Sequence, residues 1–121
     1  MQSFIKFLRR DARVFVIDLE DTSAVIIPKG EFIIEVLIPS DALEWSVMAI
    51  DIAGNEVWQE VMSYQGAPDE PQQNLSGEME NDARAFIEQM ISTRLRMTWG
   101  ADSRLEWQRE GAWREVTMFV A

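Results

Sequence analysis

The segment that most constrains the fold is residues 31–38, where apolar side chains recur at every second position. One face of this segment is wholly apolar, while the other carries Glu31 and Glu35 beside two further apolar residues. The apolar face consists of Phe32, Ile34, Val36 and Ile38. A period of two predicts a strand with one face in a core, and Pro39-Ser40-Asp41 ends it.

Short turn-forming segments connect further strand-like runs on both sides of this strand. Residues 13–19 (RVFVIDL) are apolar and β-branched and predict a buried strand, followed by a second strand at 23–27. Residues 44–52 and 56–63 flank Ala53-Gly54-Asn55, which predicts a β-hairpin.

The last part of the chain shows the same alternation. Residues 104–109 and 112–120 are joined by Glu110-Gly111, so we expect a second hairpin there. Hairpin-connected strands favour an antiparallel sheet.

One long helix is predicted over residues 78–98, with Ser76 as its N-cap and Gly100 as its stop. It would place one apolar stripe on a single face, made of Ala83, Phe86, Ile87, Met90, Ile91 and Leu95. The acidic residues Glu78, Glu80 and Asp82 are then explained by the positive end of the helix dipole rather than by a metal site. Residues 65–77, with two prolines and few apolar residues, predict a long flexible loop.

These elements predict a single α+β domain over residues 1–121. We expect a mainly antiparallel sheet of about five to seven hairpin-connected strands packed against the long amphipathic helix. A short N-terminal helix over residues 2–10 completes the expected fold.

The chain contains no cysteine and no histidine, which removes several classes of site. Disulfides, zinc-thiolate sites and a Ser-His-Asp triad are all excluded. The glycines are isolated, so no phosphate-binding loop is present. We therefore predict no catalytic, cofactor-binding or metal-binding residue. The alternative kept open is an enzyme, or an enzyme subunit, that uses carboxylates alone with Mg²⁺.

The net charge of −10 is unevenly distributed. Residues 1–14 hold four basic residues against one acid, whereas residues 15–80 hold fourteen acids against one lysine. Such a field repels nucleic acid and attracts a basic protein partner. The opposite charge of the two regions also predicts self-association, for example as a homodimer.

No apolar run is long enough for a transmembrane helix, and the N-terminus lacks the order of a secretory signal. The sequence therefore predicts no membrane contact and a cytoplasmic location.

One strand face carries the residues best suited to contact a partner. Glu56 and Glu60 alternate there with Trp58, and Tyr64 follows. Two carboxylates four residues apart on a strand are about 13 Å apart, too far for a glycosidase pair. Tryptophan and tyrosine anchor many protein interfaces, although packing of Trp58 in the core is an alternative. The predicted partner-binding residues are Glu44, Trp45, Glu56, Trp58, Glu60 and Tyr64.

The function that fits these observations is a non-enzymatic, acidic protein-binding module. In size and charge alone the chain resembles two bacterial classes, the immunity proteins that neutralise basic toxins and the small acidic secretion chaperones. The chaperones usually end in a helix, whereas residues 113–120 (WREVTMFV) have a strand pattern, which favours the inhibitor class. A structural homo-oligomer is the further alternative.

Overall fold

The computed structural model describes residues 10–39, 43–64, 72–98 and 104–118. Within these ranges the chain forms eight strands and one helix. In chain order they are β1 Phe15–Leu19, β2 Thr22–Pro28, β3 Phe32–Pro39, β4 Glu44–Asp51, β5 Glu56–Ser63, α1 Gln72–Ser92, β6 Leu95–Thr98, β7 Arg104–Arg109 and β8 Ala112–Glu115.

The strands form two antiparallel sheets, which makes the fold α+β as predicted. The larger sheet has the order β1-β2-β3-β4-β5 and the smaller one the order β6-β7-β8. The expectation of a single sheet was wrong, because the strands that follow α1 pair only among themselves. Each pair of neighbours in a sheet is also adjacent in sequence, so local turns determine the topology.

Two hairpin turns show why the sequence folds back where it does. In the β4–β5 turn, Asp51 Oδ1 accepts hydrogen bonds from the backbone N–H groups of Ala53 (3.0 Å) and Asn55 (2.8 Å). In the β7–β8 turn, Glu110 and Gly111 have φ of 54° and 78°, the positive values of a tight two-residue hairpin. Both predicted hairpins are therefore present. The last strand was predicted to extend to residue 120, but β8 ends at Glu115, and residues 116–118 are not in a strand. Residues 119–120 lie outside the described part of the chain.

The helix differs from its predicted extent at both ends. It covers Gln72–Ser92 instead of 78–98, so Ser76 lies inside the helix and is not its N-cap. Residues 72–77 of the predicted loop are helical, and residues 65–71 lie outside the described part of the chain. In the sequence Pro71 directly precedes the helix, and proline favours a helix start because it lacks a backbone N–H.

A distant lysine contacts the end of α1. Lys29 Nζ, from the β2–β3 turn, donates hydrogen bonds to the carbonyl oxygens of Ile91 (3.2 Å) and Thr93 (3.0 Å). A cation at this position suits the negative end of the helix dipole. Leu95–Thr98, predicted to be helical, instead pairs with β7 as β6. The predicted stop at Gly100 lies outside the described residues.

Two further expectations concern the N-terminal region. The short helix predicted over residues 2–10 lies outside the described residues except for Arg10, which is in a turn. The strand predicted at residues 13–19 exists as β1, but it is not buried. Phe15, Ile17 and Leu19 are 61%, 50% and 53% exposed, because β1 is the edge strand and these side chains point away from the core.

A helix long and apolar enough to cross a membrane is not found among the described residues.

The core lies between the inner face of the large sheet, α1 and the small sheet. We define the inner face as the face that carries Val25, Val36 and Val47, all fully buried, and the outer face as its opposite. The helix contributes the buried residues Met79, Ala83, Phe86, Ile87 and Met90, and the small sheet contributes Leu105 and Trp107.

Phe86 joins the two sheets through aromatic contacts. Its ring meets Trp45 of β4 edge-on at 5.4 Å between centroids and lies 6.2 Å from Trp107 of β7. All three side chains are at most 2% exposed. One helical residue therefore ties together the cores of both sheets.

We expect Phe86→Ala to destabilise the protein by about 3–5 kcal/mol, because it leaves a cavity between two tryptophans that cannot both move inward. Urea unfolding followed by tryptophan fluorescence measures the change. The control is Ile52→Ala, at a turn position 86% exposed, where we expect less than about 0.5 kcal/mol. Equal effects at the two positions would contradict this account of the core.

Candidate protein-binding surface

A β-bulge in β5 separates residues that simple alternation places together. Ala49 pairs with Trp58, but the next residue of β4, Ile50, pairs with Glu56, so Val57 is the extra residue. A bulge of this kind shifts the facing of every residue before it. Val57 and Trp58 both pack against the core, which leaves Glu56 on the outer face.

The six predicted partner-binding residues therefore do not form one surface. Glu44 and Glu56 lie at opposite ends of the hairpin on the outer face, where Glu44 accepts a long hydrogen bond from Ser63 (3.5 Å). Trp58 and Glu60 lie on the inner face, and Tyr64 continues that side just beyond β5. Trp45 is fully buried in the core and is not available to a partner.

Tyr64 connects the core to the edge of the protein. Its hydroxyl accepts a hydrogen bond from the indole N–H of Trp45 (3.0 Å) and donates one to Asp82 Oδ2 of α1 (2.7 Å). Burial, reinforced by the Asp82 carboxylate, raises the pKa of Tyr64 well above its ordinary value. The hydroxyl therefore keeps its proton, and it fixes the relative position of β5 and α1.

Four carboxylates from three elements lie near the inner face of β5 in two pairs, and we call them the acidic rim. They are Glu60 of β5, Glu78 and Asp82 of α1, and Glu115 at the end of β8. Asp82 bonds to Tyr64, and Glu78 acts on the Tyr64 hydroxyl through its charge. Loss of hydration raises the pKa of Glu60, which lies beside the buried Val47, and the nearby Glu115 raises it further.

The rim has no basic side chain to balance it within the described part of the chain. Four ion pairs occur there, and none involves a rim residue. They are Arg13–Asp11, Arg84–Glu88, Arg96–Glu106 and Arg114–Glu110. The rim therefore concentrates negative charge without an ion pair to a described basic residue.

Sequence reasoning missed the rim for two reasons. It assigned Glu78, Glu80 and Asp82 to the first turn of a helix, but α1 begins at Gln72 and its first turn has no acid. The dipole explanation for these acids is therefore wrong. Glu115 carried no signal at all, because its approach to Glu60 joins residues from two different sheets.

The described residues contain no group of three or more side chains that could hold a metal ion. Comparison of the chain with family models, with curated proteins and with solved structures finds no match. We therefore infer a function from the chemistry of the surface itself.

Tyr64→Phe should cost about 1–3 kcal/mol of unfolding free energy, because the buried indole N–H of Trp45 then loses its acceptor. Urea unfolding gives the value. In a Trp45→Phe background there is no indole N–H to satisfy, so the same substitution should cost less. An equal cost in both backgrounds would show that this hydrogen bond does not stabilise the fold.

Glu60→Gln should raise the midpoint of thermal unfolding at pH 7. The pKa of Glu60 is raised in the folded protein, so its ionised form opposes folding at any pH above that value. The gain should shrink as the pH falls and vanish below about pH 4, where the wild-type carboxyl is protonated in both states.

Glu56→Gln, on the outer face of the same strand, is the matched control and should leave the midpoint almost unchanged. Calorimetry of the three proteins from pH 3 to 8 makes the comparison, with that range set around the ordinary carboxyl pKa of about 4.3. If Glu60→Gln lowered the unfolding midpoint at pH 7, the ionised carboxylate of Glu60 would stabilise the fold, and our account would be wrong.

Proposed function

We propose that the chain is a non-enzymatic protein-binding module of the inhibitor type, which docks onto a basic protein through its acidic rim. The observation that carries this proposal is a pair of acidic clusters near the inner face of β5, with no ion pair to either among the described residues. Glu60 lies near Glu115, and Glu78 and Asp82 lie near Tyr64.

Electrostatics supports a cationic partner for this surface. Lost hydration and the nearby Glu115 carboxylate both raise the pKa of Glu60, so the free protein disfavours its ionised form. A lysine or arginine placed between these two carboxylates relieves their repulsion, so part of the binding free energy comes from strain already present in the free protein. The net charge of −10 steers such a partner over longer distances and raises its association rate.

The aromatic side chains beside the rim fit the same role. Tyr64 and Trp58 are half-buried and pack against the core, so a partner meets them already ordered. A held aromatic ring loses little conformational entropy on binding and provides apolar contact area. Charge at the rim with an aromatic floor is an arrangement common in protein interfaces.

The test uses the immobilised chain as bait for extracts of its own host, with retained proteins identified by mass spectrometry. Three baits are compared with the wild type: Glu60→Lys, Glu115→Lys and Glu56→Lys. Each substitution changes the net charge by the same amount, so general attraction is matched and only the place of the change differs. The wild type and Glu56→Lys should retain the same basic protein.

The two rim variants should weaken that interaction at least about tenfold, or about 1.4 kcal/mol, and raised salt should weaken it in every bait. Titration of the purified pair measures both effects. Equal retention of the partner by all four baits would show that the partner does not contact the acidic rim. A complex unaffected by salt would remove the electrostatic basis of the proposal.

A further inference from the structure

Met62 of β5 brings a sulfur atom into contact with the hydroxyl group of Tyr64. Its Sδ lies 3.2 Å from the Tyr64 hydroxyl oxygen, and the residue pairs with Trp45 on the inner face of the large sheet. The same hydroxyl donates to Asp82 Oδ2 at 2.7 Å and accepts from the indole N–H of Trp45 at 3.0 Å. The sulfur atom therefore contacts the hydrogen bonds that connect the core to the acidic rim.

This contact distinguishes Met62 from the other described methionines. Three of those are almost completely buried, namely Met79, Met90 and Met118. Met48 and Met97 are half-buried like Met62, but among the described methionine sulfur atoms only that of Met62 lies at hydrogen-bonding distance from a polar group. An oxidant in solution can therefore reach Met62, and a change at its sulfur acts directly on a hydrogen-bonded network.

Oxidation of this sulfur is incompatible with the present position of the Tyr64 hydroxyl. The hydroxyl has one proton, which goes to the Asp82 carboxylate because a thioether is a weak acceptor. A sulfoxide puts a polar oxygen on the sulfur. An O–H···O hydrogen bond alone spans about 2.5–3.0 Å between its oxygens, so a gap of 3.2 Å between sulfur and hydroxyl cannot also hold the added oxygen. The hydroxyl must move, and its bonds to Trp45 and Asp82 cannot both remain.

We propose that Met62 is a reversible oxidation site, with a hydroperoxide as its oxidant, whose sulfoxide releases Asp82 of the acidic rim from Tyr64. The chain contains no cysteine, so methionine supplies the sulfur for reversible oxidation.

The oxidation step is a two-electron transfer of oxygen from hydrogen peroxide. The sulfur attacks one peroxide oxygen, an S–O bond forms, and the O–O bond breaks. The transferred oxygen gives its proton to the departing hydroxide, so one water is released. Two thiols reverse the step, because they are oxidised to a disulfide while the sulfoxide oxygen leaves as water, and methionine sulfoxide reductases catalyse this reaction.

Release of Asp82 changes the arrangement of the rim. The Tyr64–Asp82 bond joins the inner face of β5, which carries Glu60, to α1, which carries Glu78 and Asp82. Oxidation of Met62 loosens this joint, so the two pairs of carboxylates lose their fixed relative position. A partner that contacts both pairs then binds more weakly, because it must order the surface again. This consequence rests on the function proposed above, whereas the change in the hydrogen bonds does not.

The only tyrosine of the chain reports on the switch directly. Isotope labelling of tyrosine gives NMR signals from Tyr64 alone, and after treatment with hydrogen peroxide these signals should shift. The indole N–H signal of Trp45 should shift with them, because that group donates to the hydroxyl. Mass spectrometry of peptides locates the added oxygen, and methionine sulfoxide reductases should return both signals to their starting positions.

Two conservative variants identify the residue that is responsible. Met62→Leu removes the sulfur at nearly constant volume, and the peroxide should then leave the Tyr64 and Trp45 signals in place. Met48→Leu is the matched control, because Met48 is equally half-buried but lies on the outer face of β4, opposite Gln59. This variant should respond to peroxide as the wild type does, with a thermal midpoint lowered by about 3–6 °C for one lost hydrogen bond.

Unchanged Tyr64 signals after complete oxidation of Met62, or equal shifts in Met62→Leu, would overturn the proposal. The partner retained in the bait experiment is then titrated against each oxidised protein, and its dissociation constant should rise at least about threefold in the wild type and in Met48→Leu alone. Shifted signals with unchanged binding would overturn the link between the switch and the rim. Failure to retain a basic protein would contradict the proposed function only, because the tyrosine signal decides the oxidation switch without a partner.

Discussion

The packing of Phe86 between Trp45 and Trp107 is the interaction on which the rest of the structure depends. The chain builds two sheets that share no strand, and each sheet alone is one layer with an apolar face to cover. The helix covers both faces at once, with Phe86 in contact with an aromatic ring of each. Dense packing at this point fixes the distance between the sheets, and with it the places where their edges approach each other.

A path of hydrogen bonds connects this aromatic packing to the protein surface. Trp45, held against Phe86, donates to Tyr64, and Tyr64 donates to Asp82 on the helix. The acidic rim is therefore attached to the core and does not lie on independent loops. A surface built in this way presents its charges in one arrangement, which is what selective recognition of a partner requires.

The two edges of the large sheet have opposite chemistry. The β5 edge has carboxylates and half-buried aromatic residues and suits a charged partner, whereas the β1 edge has exposed apolar side chains and suits an apolar one. Three strands separate these edges, so one can be occupied while the other stays accessible.

What the sequence by itself determined is the local structure. Alternation in residues 31–38 correctly predicted β3, with Ile34 and Val36 fully buried, and the Gly-containing turns correctly predicted both hairpins. These features depend on neighbours in the chain, and the period of two records which side chains point the same way. The same alternation correctly placed Trp58 and Glu60 on one face of their strand.

Only the tertiary structure decided which faces were covered and where elements stopped. The apolar residues of β1 looked like a buried strand, but an edge position exposes them, and composition does not record an edge. The bulge at Val57 moved Glu56 to the outer face, although nothing in the run 56–63 marks an extra residue. The end of α1 depends on Lys29, more than sixty residues earlier, and on the pairing of β6 with β7. Each of these outcomes depends on the free energies of contacts between distant segments. A local sequence pattern does not show which distant segment will make those contacts.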